Sequence, residues 1–185
     1  MKAVFLDRDG VINENRPDHV KSWDEFHFLP GVREAVARLS AAGVRVFVIT
    51  NQAVVNRGLA TREAIEAVNA RMVRELEACG GRIEEVAYCP HQPAEACACR
   101  KPRPGLILHL AAKYAIDLSE AVLIGDALTD IAAALAAGCE GILVLTGRGQ
   151  QELARAAAAG QAGFMVADDL GAATELVLDR VPLPA

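Results

Sequence analysis

The chain has 185 residues, 52% of them hydrophobic, and a formal net charge of −5, which fits one folded domain with a real core and excludes a disordered chain. The acidic balance excludes nucleic acid as a general partner, because the overall field repels phosphate, so an anionic substrate needs a local basic pocket. No apolar run approaches the length of a membrane span, and Asp7 interrupts the first apolar stretch too early for a signal peptide, so a cytoplasmic protein without a membrane partner is expected.

Residues 2–6 read as a buried strand that stops on Asp7-Arg8-Asp9-Gly10. A long connection, 10–30, follows, and then Val32, Ala35, Val36 and Leu39 fall on one helical face that Gly43 ends. The second strand, 44–50, runs into Asn51 and Gln52. Thr61 caps a helix that turns Ile65, Val68, Met72 and Leu76 inward. A third strand, 84–88, leads into a second long connection, 89–104. Pro104 opens the next helix in its first turn, with Ile107, Leu110, Ala111 and Tyr114 on one face. The fourth strand, 121–125, stops at Asp126, and the helix behind it ends at Gly138. Strands at 141–145 and 163–166, with an exposed helix through ARAAAAG between them, complete the pattern. VPLPA at 181–185 reads as a tail, leaving residues 1–180 as one domain.

Strand and helix alternate throughout, which means right-handed crossovers and a doubly wound parallel α/β sheet. Both long connections follow strand C-termini, where open parallel sheets bind their ligands. The same edge receives Asp7 and Asp9, then Thr50, Asn51 and Gln52, then Arg100 and Lys101, and finally Asp126. Residues two apart in an extended chain point the same way, so Asp7 and Asp9 can serve one site. Clustered carboxylates repel and invite a hard cation, most naturally Mg2+. A Lys and a Thr beside such a metal suit a phosphoryl group. The bland alternative, that Asp7, Asp9 and Gly10 are turn residues, explains none of this convergence.

Five cysteines in a chain without a secretion signal do not look like a disulfide framework. Cys89, His91, Cys97 and Cys99 lie together in CPHQPAEACACRKP. One His and three Cys suit a tetrahedral Zn2+ closed to water, although CxH and CxC are tighter than common finger spacings; loop thiols or a redox pair are the alternative. Such a metal would freeze the loop, 89–101, whose last residues have to reach the phosphate. Cys79 and Cys139 read as buried or partly buried residues near helix ends.

Four motifs carry a resemblance: DRDGVIN at 7–13, ITN at 49–51, RKP at 100–102 and GDALTD at 125–130. In order and spacing they resemble those of the haloacid dehalogenase-like phosphohydrolases. The resemblance implies that Asp7 attacks phosphorus to give an aspartyl-phosphate, and that Asp9 serves as acid and then base. It implies Mg2+ held by the Asp7 carboxylate, the Asp9 carbonyl and the Asp126 carboxylate, with Thr50 and Lys101 on the phosphoryl oxygens. Asp130 either joins this site or is only a helix cap or support.

The Cys-Pro-His…Cys-x-Cys-Arg-Lys-Pro loop further resembles a subgroup without a large cap domain, the heptose 1,7-bisphosphate 7-phosphatases and the related histidinol-phosphate phosphatases. The 10–30 loop, TNQAVVNRG and LVLTGRG look more like the heptose enzymes. That implies a small phosphorylated sugar substrate, D-glycero-D-manno-heptose 1,7-bisphosphate losing its 7-phosphate on the way to surface polysaccharide. A histidinol-phosphate or other sugar-phosphate phosphatase is the nearest alternative, and a zinc-stabilised binding module is the alternative of another class. Substrate contacts are expected from Asn51, Gln52, Arg57 and Arg100. Arg16, Arg57, Arg100, Arg103 and Arg148 all lie in loops after strands and would form a cationic rim for a second phosphate. Two departures stand out: Ala127, where some relatives carry Lys, and Ala53-Val54, where Ser-Gly also occurs. Trp23 is either a small lid over the site or a packing residue; His19 and His27 can touch substrate but are expected in surface or packing roles, and His109 is expected to be structural. A monomer is expected.

Overall fold

A computed structural model describes residues 1–181, so all of the expected tail except Val181 lies outside the described residues. In chain order the elements are β1 (Ala3–Leu6), α1 (Val32–Ala41), β2 (Arg45–Asn51), α2 (Arg62–Glu77), β3 (Ile83–Cys89) and α3 (Gly105–Tyr114). They continue with β4 (Ala121–Gly125), α4 (Leu128–Ala137), β5 (Glu140–Val144), α5 (Gly149–Ala158), β6 (Met165–Ala167) and α6 (Leu170–Leu178). Six strands pair in the order β3-β2-β1-β4-β5-β6. Every pairing is parallel. The doubly wound sheet therefore forms as expected, with element ends moved by a residue or two. No large cap is present among the described residues.

Strand alternation divides the core between the two faces of the sheet. Val4 and Leu6 of β1 join Val46, Val48, Val122 and Ile124 beneath α1, α2 and α6. Ala3 and Phe5 join Phe47, Ile49 and Leu123 beneath α3 and α4. The change of face follows from handedness. The chain winds outward from β1 to β3, then returns to lay β4 on the other side of β1, and right-handed crossovers must then pass over the opposite face. The C-terminal ends of β1 and β4 consequently splay around a crevice at the switch point.

Local chemistry sets the helix ends. Thr61 caps α2 by accepting from the Ala64 N–H at 3.1 Å, and Gly138 closes α4 with φ of 83°. Pro104 stands just before α3 as its N-cap, one position earlier than expected. β3 is an edge strand whose residues between its ends are only partly buried, and its Glu84 and Glu85 discourage further pairing. Cys79 is exposed, against the expectation of burial, because it follows the last turn of α2 on the solvent side; Cys139 is buried.

The 10–30 connection is anchored at its base. Val11, Ile12, Val20 and Phe26 enter the core beneath α1 and α2. Trp23 stacks on Phe26 with ring centroids 4.9 Å apart, and Arg71 of α2 covers its other side at 4.5 Å. Trp23 thus packs the loop to the body of the protein and is not a lid.

Candidate active site

Asp7 leaves β1 with its N–H still bonded to the Ile124 carbonyl of β4 at 2.9 Å, so the crevice between the two strands fixes its place. The Lys101 ammonium reaches it from the loop after β3. Its Nζ lies 3.0 Å from Asp7 Oδ1, 2.7 Å from Asp130 Oδ1 and 3.0 Å from the Ile49 carbonyl. The Ile49 carbonyl accepts a hydrogen bond and the two carboxylates pair with the charge, which offsets the burial of a lysine only 3% exposed. Burial pulls the Lys101 pKa down, but Asp130 and Asp7 outweigh it, and the net shift is upward. Burial pushes the Asp7 carboxyl up to about 6, Lys101 opposing and Asp130 and Asp9 adding to the rise.

Asp130 is both cap and support. Its Oδ2 accepts from the Ala127 N–H at the start of α4, and its Oδ1 holds Lys101. A Cβ on Gly125 would lie 2.3 Å from the Asp130 Cβ, so glycine there lets α4 approach the sheet. Asn51 fixes the other end of Lys101. It donates to the Lys101 carbonyl and accepts from the Lys101 N–H, each at 3.1 Å.

Asp9 is held by three different segments. Arg8 presents Nε at 3.3 Å and Nη2 at 3.1 Å to its carboxylate, Asn13 donates at 2.9 Å, and Gln52 donates at 2.7 Å. Burial would raise the Asp9 carboxyl, yet Arg8 and the two amides hold it below its ordinary value. Gln52 is only 1% exposed and also donates to Thr50 Oγ1 at 3.0 Å. Its amide nitrogen serves Asp9 and Thr50, and the residue does not line the cleft, which corrects the expectation of a substrate contact. With that lone pair occupied, the Thr50 hydroxyl proton is left to donate to a ligand.

Asp126 sits at the end of β4, and its carboxylate accepts from the Arg148 N–H at 2.9 Å and from its guanidinium at 3.3 Å. Burial and then Asp7 raise its pKa. Gly10 and Gly147, with φ of 89° and 58°, close over it. A Cβ on either would stand 2.2 Å or 2.3 Å from Asp126 Oδ2.

The donor set fits a hard cation. Oxygens of Asp7, Asp126 and Asp130 lie within 4.8 Å of one another. Asp130 Oδ2 caps α4 and its Oδ1 lies against the Lys101 ammonium without accepting a hydrogen bond, and Asp7 Oδ2 and the Asp9 carbonyl likewise accept none among the described residues. Three buried carboxylates against Lys101 and Arg148 still leave negative charge that Mg2+ suits. The second cluster is of another chemistry. Sγ atoms of Cys89, Cys97 and Cys99 are 3.3 to 3.5 Å apart, and His91 Nδ1 lies 3.5 Å from Cys89 and 3.3 Å from Cys99. A tetrahedron with Zn–S near 2.3 Å and Zn–N near 2.1 Å has edges of about 3.5–3.8 Å, so the four groups stand close to zinc-binding geometry. The sulfurs are free thiols, too far apart for any disulfide.

Above these groups opens a cleft of about 510 Å³, lined by Asp7, Asp9, Thr50, Lys101 and, at its rim, Arg16, His19, Arg100 and Arg148.

A family model described as HAD-hydrolase-like matches residues 98–173. The chain is 42% identical to the D-glycero-beta-D-manno-heptose-1,7-bisphosphate 7-phosphatase of Bordetella bronchiseptica over 97% of this chain and 99% of that protein. It belongs to that phosphatase family. The relative so named from Pseudomonas aeruginosa is 39% identical over 95% of this chain and 97% of its own. The crystal structure of the Bordetella bronchiseptica D,D-heptose 1,7-bisphosphate phosphatase, complexed with magnesium and phosphate, superposes with a TM-score of 0.91 over 97% of this chain and 99% of that one. The Burkholderia thailandensis heptose bisphosphate phosphatase superposes with a TM-score of 0.75 at 38% identity, covering 97% of this chain and 100% of its own.

The rim of this heptose bisphosphate phosphatase family member differs from the expected one. Arg57 and Arg103 do not line the cleft. Arg57 Nη1 is 3.1 Å from His19 Nε2, and Arg103 bonds the Ala96 and Cys97 carbonyls of the cysteine loop. Both loops turn these side chains back on the protein. Arg16 lines the cleft with Asp18 3.2 Å from its Nε, whereas Arg100 bonds the His91 carbonyl at 3.2 Å and no carboxylate among the described residues. His19, for which a substrate contact stood beside the expected surface or packing role, reaches the cleft with φ of 64°. His109 and His27 are exposed. Arg8, Asn13 and Asn69 escaped the sequence reading. Asn69 alone left a signal, a polar residue on the buried face of α2.

Proposed function

We infer that the protein is a Mg2+-dependent phosphomonoester hydrolase that removes the 7-phosphate of D-glycero-D-manno-heptose 1,7-bisphosphate, the beta anomer for which its relatives are named. The observation that carries this reading is the buried Asp7 carboxylate, with Asp9, Thr50 and Lys101 around it, at the floor of a cleft with a basic rim.

Asp7 attacks phosphorus, the ester P–O bond breaks, and the phosphoryl group passes to the Asp7 carboxylate. Asp9 gives its proton to the departing alkoxide. It then takes a proton from water as that water attacks the aspartyl-phosphate, which restores Asp7 and frees inorganic phosphate. Lys101 and Thr50 donate to phosphoryl oxygens as their charge grows. A bound Mg2+, held by Asp7, Asp126 and the Asp9 carbonyl, supplies positive charge that keeps Asp7 ionised and offsets the phosphoryl oxygens. Asp9 must be protonated when the ester bond breaks, although Arg8 favours its ionised form. An arriving phosphoryl dianion raises its pKa and provides the correction.

Asn51 acts by fixing the Lys101 backbone, and Arg100, without a carboxylate partner, is the rim residue suited to the second phosphate. The cysteine loop serves as a structural Zn2+ site directly before Arg100 and Lys101. The protein works as a monomer in the cytoplasm, where the thiols of the cysteine loop stay reduced. Residues 1–180 act as one domain. A binding module would have no use for a lysine shared between two buried aspartates, and that disfavours the non-catalytic reading.

Phosphate release with Mg2+ from both heptose bisphosphate anomers and from histidinol phosphate, compared as kcat/KM, tests the assignment. Preference for the bisphosphate is expected. Preference for histidinol phosphate would keep the chemistry and overturn the second-phosphate reading of Arg100.

A further inference from the structure

Arg8 stands between the two carboxylates of the first motif and takes no part in the steps above. Its side chain is wholly buried, the bulkiest of those that are. A guanidinium inside a protein is costly unless its N–H groups find acceptors. Here Nε and Nη2 go to Asp9, at 3.3 Å and 3.1 Å, and Nη2 spans both carboxylate oxygens. Nη1 goes to Asn69 Oδ1 at 3.0 Å. Asn69 belongs to α2, lies on its buried face and is 5% exposed.

The chain bends at Arg8, past the end of β1, which lets its side chain turn back on to the next residue, and Asn69 holds the guanidinium from behind on a rigid helix. The planar fork then fixes the plane of the carboxylate as well as its position. Asn13 and Gln52 grip the same two oxygens from separate loops, at 2.9 Å and 2.7 Å. A side chain carrying a proton to a leaving group gains from such fixing, because small misplacements are expensive in rate.

We propose that Arg8 is a positioning residue for Asp9, held in register by Asn69, and that the two set the direction from which Asp9 meets the leaving-group oxygen. The inference rests on the reading of Asp9 as the group that protonates the leaving alkoxide. A residue that merely anchored the core would affect every substrate alike; a residue that aims Asp9 affects only those whose leaving group needs the proton.

The test compares kcat/KM for heptose 1,7-bisphosphate with that for 4-nitrophenyl phosphate, whose leaving group departs without a proton. This parameter reports the steps through ester cleavage, so the later hydrolysis of the aspartyl-phosphate does not blur it. The variants are Asp9→Asn as reference, Arg8→Lys and Asn69→Ala, each checked for a native circular dichroism spectrum and a cooperative melt. Asp9→Asn should cost the sugar ester about 100-fold or more and the aryl ester far less. Arg8→Lys and Asn69→Ala should repeat that selectivity at roughly 10-fold to 100-fold on the sugar ester, with less than about 3-fold on the aryl ester. If Arg8→Lys fails to fold, Asn69→Ala decides, since Asn69 touches neither Asp9 nor the cleft. Equal losses on both esters, or none, would overturn the proposal while Asp9→Asn remained selective. A non-selective Asp9→Asn would instead remove the role of Asp9 itself, and this inference with it.

Discussion

The ammonium of Lys101 lies 3.0 Å from Asp7 Oδ1, and both groups are more than nine-tenths buried. Asp130 shares the same ammonium at 2.7 Å. Lys101→Met would leave two buried carboxylates without their counter-ion. Breaking such a pair costs about 3 kcal/mol or more, and loss of one donor to the phosphoryl oxygens lowers kcat about 100-fold to 1,000-fold. Urea unfolding should show the loss, and added Mg2+ should restore part of it by offsetting the same charges. Unchanged stability without Mg2+ would mean that the pair contributes nothing to the fold.

The Asp7 carboxyl rises from its ordinary 3.8 to about 6 in the folded protein, chiefly through burial. Between those values the folded chain holds a proton that the unfolded chain has released. The resulting stability is complete below about 4 and is lost as pH rises through about 6. Without Mg2+ the melting temperature should fall across that window, and Asp7→Asn, which cannot ionise, should lack this fall along with turnover. Because Mg2+ needs the ionised carboxylate, its affinity should weaken as pH drops below about 6. Calorimetric titration at pH 5 and pH 7 measures this; equal affinities would refute it.

Gly147 combines a φ of 58° with a Cβ position 2.3 Å from Asp126 Oδ2 and 2.7 Å from the Gly10 Cα. Gly58 has a φ of 69° and open space around it. Gly58→Ala should therefore cost only the backbone strain, about 1–2 kcal/mol, with activity retained. Gly147→Ala should add displacement of Asp126, seen as a Mg2+ requirement raised about 10-fold or more. The same Mg2+ dependence in both variants would show that the close approach is of no consequence.

Purified protein should carry one Zn2+ per chain, and Cys97→Ser should lose it. The melting temperature should drop by about 5–10 °C, the shift expected for a few kcal/mol in a chain of this length. Activity should fall with it, because the loop that holds the metal also carries Arg100 and Lys101. Metal analysis and a thermal melt on the same sample suffice. A zinc-free variant with the wild-type melting temperature would show that the loop needs no metal.

The strands and the edge where the motifs meet were legible because parallel strands buried on both faces leave continuous apolar runs, each ending on a polar residue that stands out. Arg8 was not legible. Alternation along a strand would put it opposite Asp9, but the chain bends at Arg8 just past β1, and the fold of α2 brings Asn69 behind the guanidinium to hold it there. Gln52 was misread for a related reason: a polar residue at a strand end can face the ligand or brace a neighbour, and spacing does not separate the two. Arg57 and Arg103 show the limit for loops, where the chain's course decides which side chains reach the cleft.

The groups assigned to the reaction carry only oxygen and nitrogen at their reacting ends. Yet the segment that delivers Lys101 to them is tied, two residues earlier, to a knot of three sulfurs, two of them only partly buried. Oxidants, mercurials and strong thiol reagents should thus silence this phosphatase without touching a single catalytic atom. The enzyme's output should then follow the thiol state of its surroundings, a dependence that its phosphate chemistry alone would never suggest.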